Sequence, residues 1–128
     1  MNWYVDSSAI LSIIFEESEA AQISPVFKEQ LVTSELSRVE VLRTVTKTAA
    51  YLLPHAEKLL AQFSFIRIEK EILHRASSYP AEISAKTLDA IHLATAEVLS
   101  SLVNGVVTLD KQMAKNAEKL NLRVFKVA

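Results

Sequence analysis

The chain has no cysteine, one glycine and three prolines among its 128 residues, and each shortage removes a class of explanation. Without cysteine there can be no disulfide, no thiolate zinc site and no thiol nucleophile, a composition suited to a reducing cytoplasm. A lone Gly105 rules out P-loop and dinucleotide fingerprints, which need several glycines so that the backbone can approach phosphate. Charge of one sign is also missing: 14 basic residues face 15 acidic ones, a net charge of −1, which by itself selects no partner. Apolar runs are broken by charge well short of the roughly 18 residues of a membrane span. No basic region precedes the N-terminal apolar stretch, so neither a spanning helix nor a signal peptide is expected.

What is present is the length of a single domain, residues 1–128, enough to bury about two-thirds of the unfolded surface without staples. Met1-Asn2-Trp3-Tyr4-Val5 is an aromatic and β-branched run that stops on Asp6, and from Ser7 to Phe15 the apolar spacing becomes helical. Asp6 therefore sits where a strand hands over to a helix, the edge at which open α/β sheets bind ligands. Leu31-Val32-Thr33 reads as a second strand, with Ser34 as N-cap of a helix from Glu35 to about Leu53. Pro54 ends that helix and opens another, His55 to Ser64. Phe65-Ile66-Arg67-Ile68-Glu69 alternates as a strand, Lys70 to Tyr79 is helical, and Ser84 or Thr87 caps a long helix reaching Leu102. After an Asn104-Gly105 turn, Val106 to Leu109 is a buried strand ended by Asp110. Lys111 to Leu120 is a helix, Asn121 supplies its left-handed stop, and Leu122 to Val127 closes the chain as a strand. Strands alternating with helices predict an α/β domain with a mainly parallel sheet of about five strands and helices on both faces.

Four acids stand out against this frame. Asp6 and Asp110 both follow strands and precede helices, so a parallel sheet brings them to one edge; the plainer reading of each is an N-cap, worth about 1 kcal/mol. Asp89 is the only formally charged residue of Leu88-Asp89-Ala90-Ile91-His92-Leu93-Ala94-Thr95-Ala96 and projects from an apolar arc, where an ionised carboxylate needs a partner. Alternatively it complements the dipole of a helix capped by Thr87. Glu40, in Ser37-Arg38-Val39-Glu40-Val41, borders the apolar face of its helix or simply pairs with Arg43 or Thr44. Convergence gives them weight: carboxylates gathered at one edge repel one another unless a hard cation neutralises them. An all-oxygen set selects Mg²⁺ or Mn²⁺, ions suited to in-line phosphodiester hydrolysis. His55 and His74 have no partner at ligand spacing, and His92 reads as structural. Ser7 and Ser8 lack the histidine base and elbow of a serine nucleophile.

These motifs, in this order and together with Tyr4-Val5-Asp6-Ser7-Ser8-Ala9-Ile10-Leu11 and Val107-Thr108-Leu109-Asp110, resemble the PIN-domain family, and at this length its VapC-type toxins of toxin–antitoxin pairs. The resemblance covers essentially the whole chain. It implies a three-layer α/β/α domain whose acids Asp6, Glu40, Asp89 and Asp110 hold Mg²⁺ or Mn²⁺ and cut RNA, leaving 5′-phosphate and 3′-hydroxyl ends. It also implies that Ser8 and Thr108 position water at the metal, that a small antitoxin protein lays a peptide across the active groove, and that the toxin is a homodimer. Asn121 stands where relatives commonly carry glycine, and Trp3 is bulkier than usual.

Setting the four acids aside leaves 11 acidic against 14 basic residues. Arg43, Lys86 and Lys111, with Arg38, Lys47 and Lys115, flank the acidic motifs as candidates for RNA phosphate contact. Tyr51, Leu52, Leu53, Leu59, Leu60 and Phe63 offer apolar surface to a protein partner, unless it is core. Two other classes remain. A phosphotransfer or phosphatase domain also gathers acids at strand ends, but Asp6 is followed by Ser7-Ser8 rather than a second Asp two places on. A catalytically silent interaction module on the same fold would carry the acids without turnover.

Overall fold

A computed structural model describes residues 2–127; Met1, where the expected first strand begins, lies outside the described residues. Four parallel strands, β1 (Asn2–Val5), β2 (Gln30–Ser34), β3 (Phe63–Ile66) and β4 (Val106–Val107), form a sheet in the order β3-β2-β1-β4. Successive residues of a strand face opposite ways, and the core divides accordingly. Val5, Leu31, Phe63 and Val107 face one cluster, built with α1 (Ser7–Ile14), α3 (Glu35–Ala49) and α4 (Leu53–Leu60). Tyr4 and Val106 face a second cluster, built with α6 (Thr87–Val98) and α7 (Lys111–Lys119). The short α2 (Ala20–Ile23) lies between α1 and β2 in sequence, and α5 (Lys70–Ser77) packs on α6. This is the expected three-layer α/β/α arrangement.

Several boundaries differ from the sequence reading. The third strand begins at Phe63, two residues early, and takes Phe63 and Ser64 from the expected helix, which stops at Leu60. Pairing decides this: Leu31↔Phe63 through Ser34↔Ile66 continues the ladder along β2, a tertiary gain that outweighs local periodicity. The long helix before it ends at Ala49, with a 3₁₀ turn over Ala50–Leu52 leading into α4 and Pro54 in its first turn. Neither Ser84 nor Thr87 caps α6. Lys86 holds that position with no side-chain bond, and the helix stops at Val98 rather than Leu102. The expected fifth strand is reduced to one parallel bridge, Val106↔Val124.

The edge by β4 depends on Gly105. Tyr4 N–H donates to its carbonyl (3.0 Å), and a Cβ at this position would lie 2.3 Å from the Arg123 carbonyl oxygen. Only glycine admits that approach. Asn121 has φ 64°, the left-handed stop expected after α7. Among the described residues, no helix is long and apolar enough to cross a membrane.

Candidate active site

Register places the first acid. Tyr4 pairs with Val106 and Val5 with Val107, so the next residues, Asp6 and Thr108, emerge side by side where the strands end. Asp6 N–H donates to the Val107 carbonyl at 3.1 Å, which fixes the carboxylate against the sheet. Asp6 is 4% exposed. Its Oδ1 accepts from Ser8 Oγ (2.7 Å) and from the Ala9 amide (3.1 Å), and Thr108 Oγ1 donates to Oδ2. The N-cap reading of Asp6 is thus correct, yet a cap alone does not require burial or two hydroxyl donors. Burial pushes its carboxyl above the ordinary range, against the pull of the Thr108 and Ser8 hydroxyls.

Ser8 and Thr108 join this carboxylate to the neighbouring loop. Their hydroxyl oxygens lie 3.3 Å apart. Leu109 N–H donates to Ser8 Oγ and Asp110 N–H to Thr108 Oγ1, each at 3.1 Å. Asp110 caps α7 through Oδ1, which accepts from the Met113 amide at 2.9 Å, and its residue is exposed.

The other two acids come from helices. Asp89 is half-buried in the first turn of α6. Its carboxyl is raised first by desolvation, then by the charges of Asp110 and Glu40, while His92 and Lys86 act the other way. Asp89, Asp110 and Glu40 therefore share one electrostatic field, and His92 also acts on Asp6. Glu40 does not make the surface pair with Arg43 or Thr44 that helix spacing suggested: its Oε1 lies 2.6 Å from His92 Nε2. His92, expected to be structural, is 1% exposed, and its Nδ1 lies 2.6 Å from Tyr4 Oη. Among the described residues, no three acidic or histidine side chains are grouped so as to surround an ion. Asp6 is turned to hydroxyls and an amide, and Glu40 to an imidazole.

The candidate phosphate contacts Arg43, Lys86 and Lys111 are exposed. Arg38 is committed elsewhere, donating from Nη2 to both Glu57 oxygens at 2.8 and 3.0 Å, and Glu35 accepts the Ile68 amide (2.9 Å). Of the apolar group considered for a partner, Leu59, Leu60 and Phe63 belong to the core, while Tyr51 is 83% exposed. A cleft of about 420 Å³ opens beside Thr108 and Asp110 and runs past Lys111 towards Phe125 and Lys126.

Residues 3–119 match the family described as PIN domain. The chain is 32% identical over 125 residues to a protein of Mycobacterium tuberculosis (strain ATCC 25618 / H37Rv) named Ribonuclease VapC46, covering 95% of each. It is 31% identical over 127 residues to Ribonuclease VapC35 of M. tuberculosis (strain CDC 1551 / Oshkosh), covering 94% of this chain and 93% of that one. Its fold is similar to a chain of a toxin-antitoxin complex from Klebsiella pneumoniae, with TM-score 0.73 and 22% identity over 88% of this chain and 89% of that chain. It is also similar to a chain of VapBC2 from Rickettsia felis, solved bound to a DNA fragment of its promoter, with TM-score 0.74 and 12% identity over 98% and 100%.

Proposed function

The chain belongs to the PIN domain family, and on that premise we propose that it is a metal-dependent endoribonuclease, the toxin of a VapBC-type pair acting in the cytoplasm. The observation that supports the reading is the set of hydrogen bonds by which Thr108 joins the buried Asp6 to the loop of Asp110, together with the desolvation of Asp89, whose carboxyl the charges of Asp110 and Glu40 raise further. Such a group is costly when ionised unless a cation answers it. The relatives named VapC ribonucleases support the choice of RNA as substrate.

The donor chemistry fits a hard divalent ion: four carboxylates with hydroxyls beside them, and no thiolate anywhere in the chain. Asp6, Glu40, Asp89 and Asp110 would hold Mg²⁺ or Mn²⁺. When bound, the ion supplies Lewis acidity at the phosphodiester and activation of the attacking water. Hydrolysis adds water to phosphorus and breaks the bond to the 3′ oxygen, which takes up a proton, leaving 3′-hydroxyl and 5′-phosphate ends. Thr108 and Ser8 orient Asp6 by donating to its two oxygens. Arg43, Lys86 and Lys111 hold the flanking phosphates. The cleft beside Asp110 is the path we assign to the RNA and to the peptide of a small antitoxin that excludes it. The toxin is a homodimer in this reading.

The test is incubation of the purified protein with structured RNA in Mg²⁺ or Mn²⁺, with EDTA, Asp6→Asn and Asp89→Asn as controls. Cleavage abolished by each control supports the reading, and cleavage surviving all three overturns it. Metal binding without cleavage of any RNA would favour a silent interaction module, and an acyl-phosphate formed with a phosphodonor would favour a phosphotransfer domain.

A further inference from the structure

Glu40 is the acid least restrained by its own backbone. It projects from the middle of α3 on a flexible side chain, 22% exposed, and Asp89 feels its charge. Repulsion alone would turn it towards solvent. What opposes that is a buried chain of side chains: Glu40 Oε1 to His92 Nε2 at 2.6 Å, and His92 Nδ1 to Tyr4 Oη at 2.6 Å.

For a neutral ring beside an ionised carboxylate, the donor inventory sets where the protons sit. An ionised carboxylate only accepts, so Nε2 carries the hydrogen, and in a neutral ring Nδ1 must then accept. Tyr4 can satisfy it. Its hydroxyl lies 2.6 Å from that nitrogen and has one hydrogen to donate. The phenol hydrogen is thus directed to Nδ1. Both Tyr4 and His92 are sealed from water, at 0% and 1% exposure, so no solvent competes for either nitrogen. The helix that carries Asp89 carries His92 one turn later. One element thereby presents an acid and restrains a second acid borne by a different helix.

We propose that Tyr4 and His92 are positioning residues for Glu40, with Tyr4 locking the imidazole in the Nε2–H tautomer that holds the Glu40 carboxylate at the acidic edge. The inference rests on the ribonuclease reading for its consequence in catalysis, but its geometry stands apart from it. Groups that orient ligands in this way affect metal affinity or activity by about 10–100-fold when removed.

Two measurements on the full chain test it. The first is ¹⁵N NMR of the histidine rings in the metal-free protein: His92 is expected as a neutral Nε2–H tautomer, with the Nδ1 resonance shifted in Tyr4→Phe as that nitrogen loses its hydrogen-bond donor. A ring protonated on Nδ1 in the wild type overturns the proposal. The second is multiple-turnover RNA cleavage. His92→Leu should lower kcat by about 10–100-fold with KM for RNA changed less than about threefold, whereas His92→Gln, whose amide can donate to Glu40, should recover most of the loss. Wild-type kcat in a folded His92→Leu, or equal losses in the Leu and Gln variants, overturns the relay. If the wild type cuts no RNA, the ribonuclease reading fails while the NMR result still decides the relay.

Discussion

The two flanks of the acidic edge are held by different means. On the strand flank, Asp6 is fixed by a register step between β1 and β4, a backbone amide and two hydroxyls. On the helix flank, Glu40 is held by an imidazole 52 positions away, itself bonded to a tyrosine 88 positions from it. The first flank is set by backbone geometry and the second by side chains alone. Damage to the first should therefore reach the packing of the sheet end as well as the chemistry, whereas damage to the second should cost the buried His92–Tyr4 bond while leaving the register of β1 and β4 in place.

The largest effect is expected at Asp6. Asp6→Asn removes the charge and keeps an oxygen able to cap Ala9 but loses the acceptor of the Thr108 hydroxyl, so metal-dependent cleavage should fall about a thousandfold or more and stability by about 1 kcal/mol. Single-turnover assays beside thermal melts check both halves. Next comes Thr108→Val, which takes a donor from Asp6 and an acceptor from the Asp110 amide. We expect a loss of about 10–100-fold in activity and of about 1–3 kcal/mol in stability, measured by denaturant titration. If this variant lost activity with no loss of stability, the contrast between the flanks would fail.

Legibility follows the same division. Asp6 and Asp110 can be placed from sequence because a strand-to-helix handover and an N-cap are local events, and both appear as caps in the structure. The parallel sheet is readable for the same reason. The Glu40–His92–Tyr4 chain is not: its members lie in α3, α6 and β1, and helix spacing offers Glu40 the nearer partners Arg43 and Thr44. The hint is a histidine on the apolar arc of the helix that also bears Asp89. The start of β3 escapes a local reading because Phe63 and Ser64 extend the ladder with β2 only once the chain is folded. The final strand shrinks to a bridge at Val124, since β4, only two residues long, offers little edge to pair with.

The third prediction concerns pH. Asp6 and Asp89 are both raised in the folded protein, so each binds its proton more tightly there than in the unfolded chain. Their contribution to stability is full below the unfolded value of about 4 and is lost as pH rises through the folded values. In metal-free protein, the stability difference between Asp89→Asn and wild type should grow in favour of the variant over that rise. Mg²⁺ at about 100 times its Kd should return about 2.7 kcal/mol to the wild type near neutral pH. Urea titrations at several pH values, with and without Mg²⁺, measure both, and a variant that tracks the wild type at every pH would contradict the crowding at Asp89. The smallest effects belong to the exposed bases. Arg43→Ala, Lys86→Ala and Lys111→Ala should each weaken RNA binding without altering its end chemistry. Each should also flatten the slope of log K against log salt by about 0.7, the share of one neutralised phosphate on a single strand.

The most direct test of the central claim is an anomalous difference map from crystals soaked in Mn²⁺. A peak is expected in contact with the carboxylates of Asp6 and Asp89 at the end of β1. Mn²⁺ bound only elsewhere, with those two carboxylates facing apart, would contradict it.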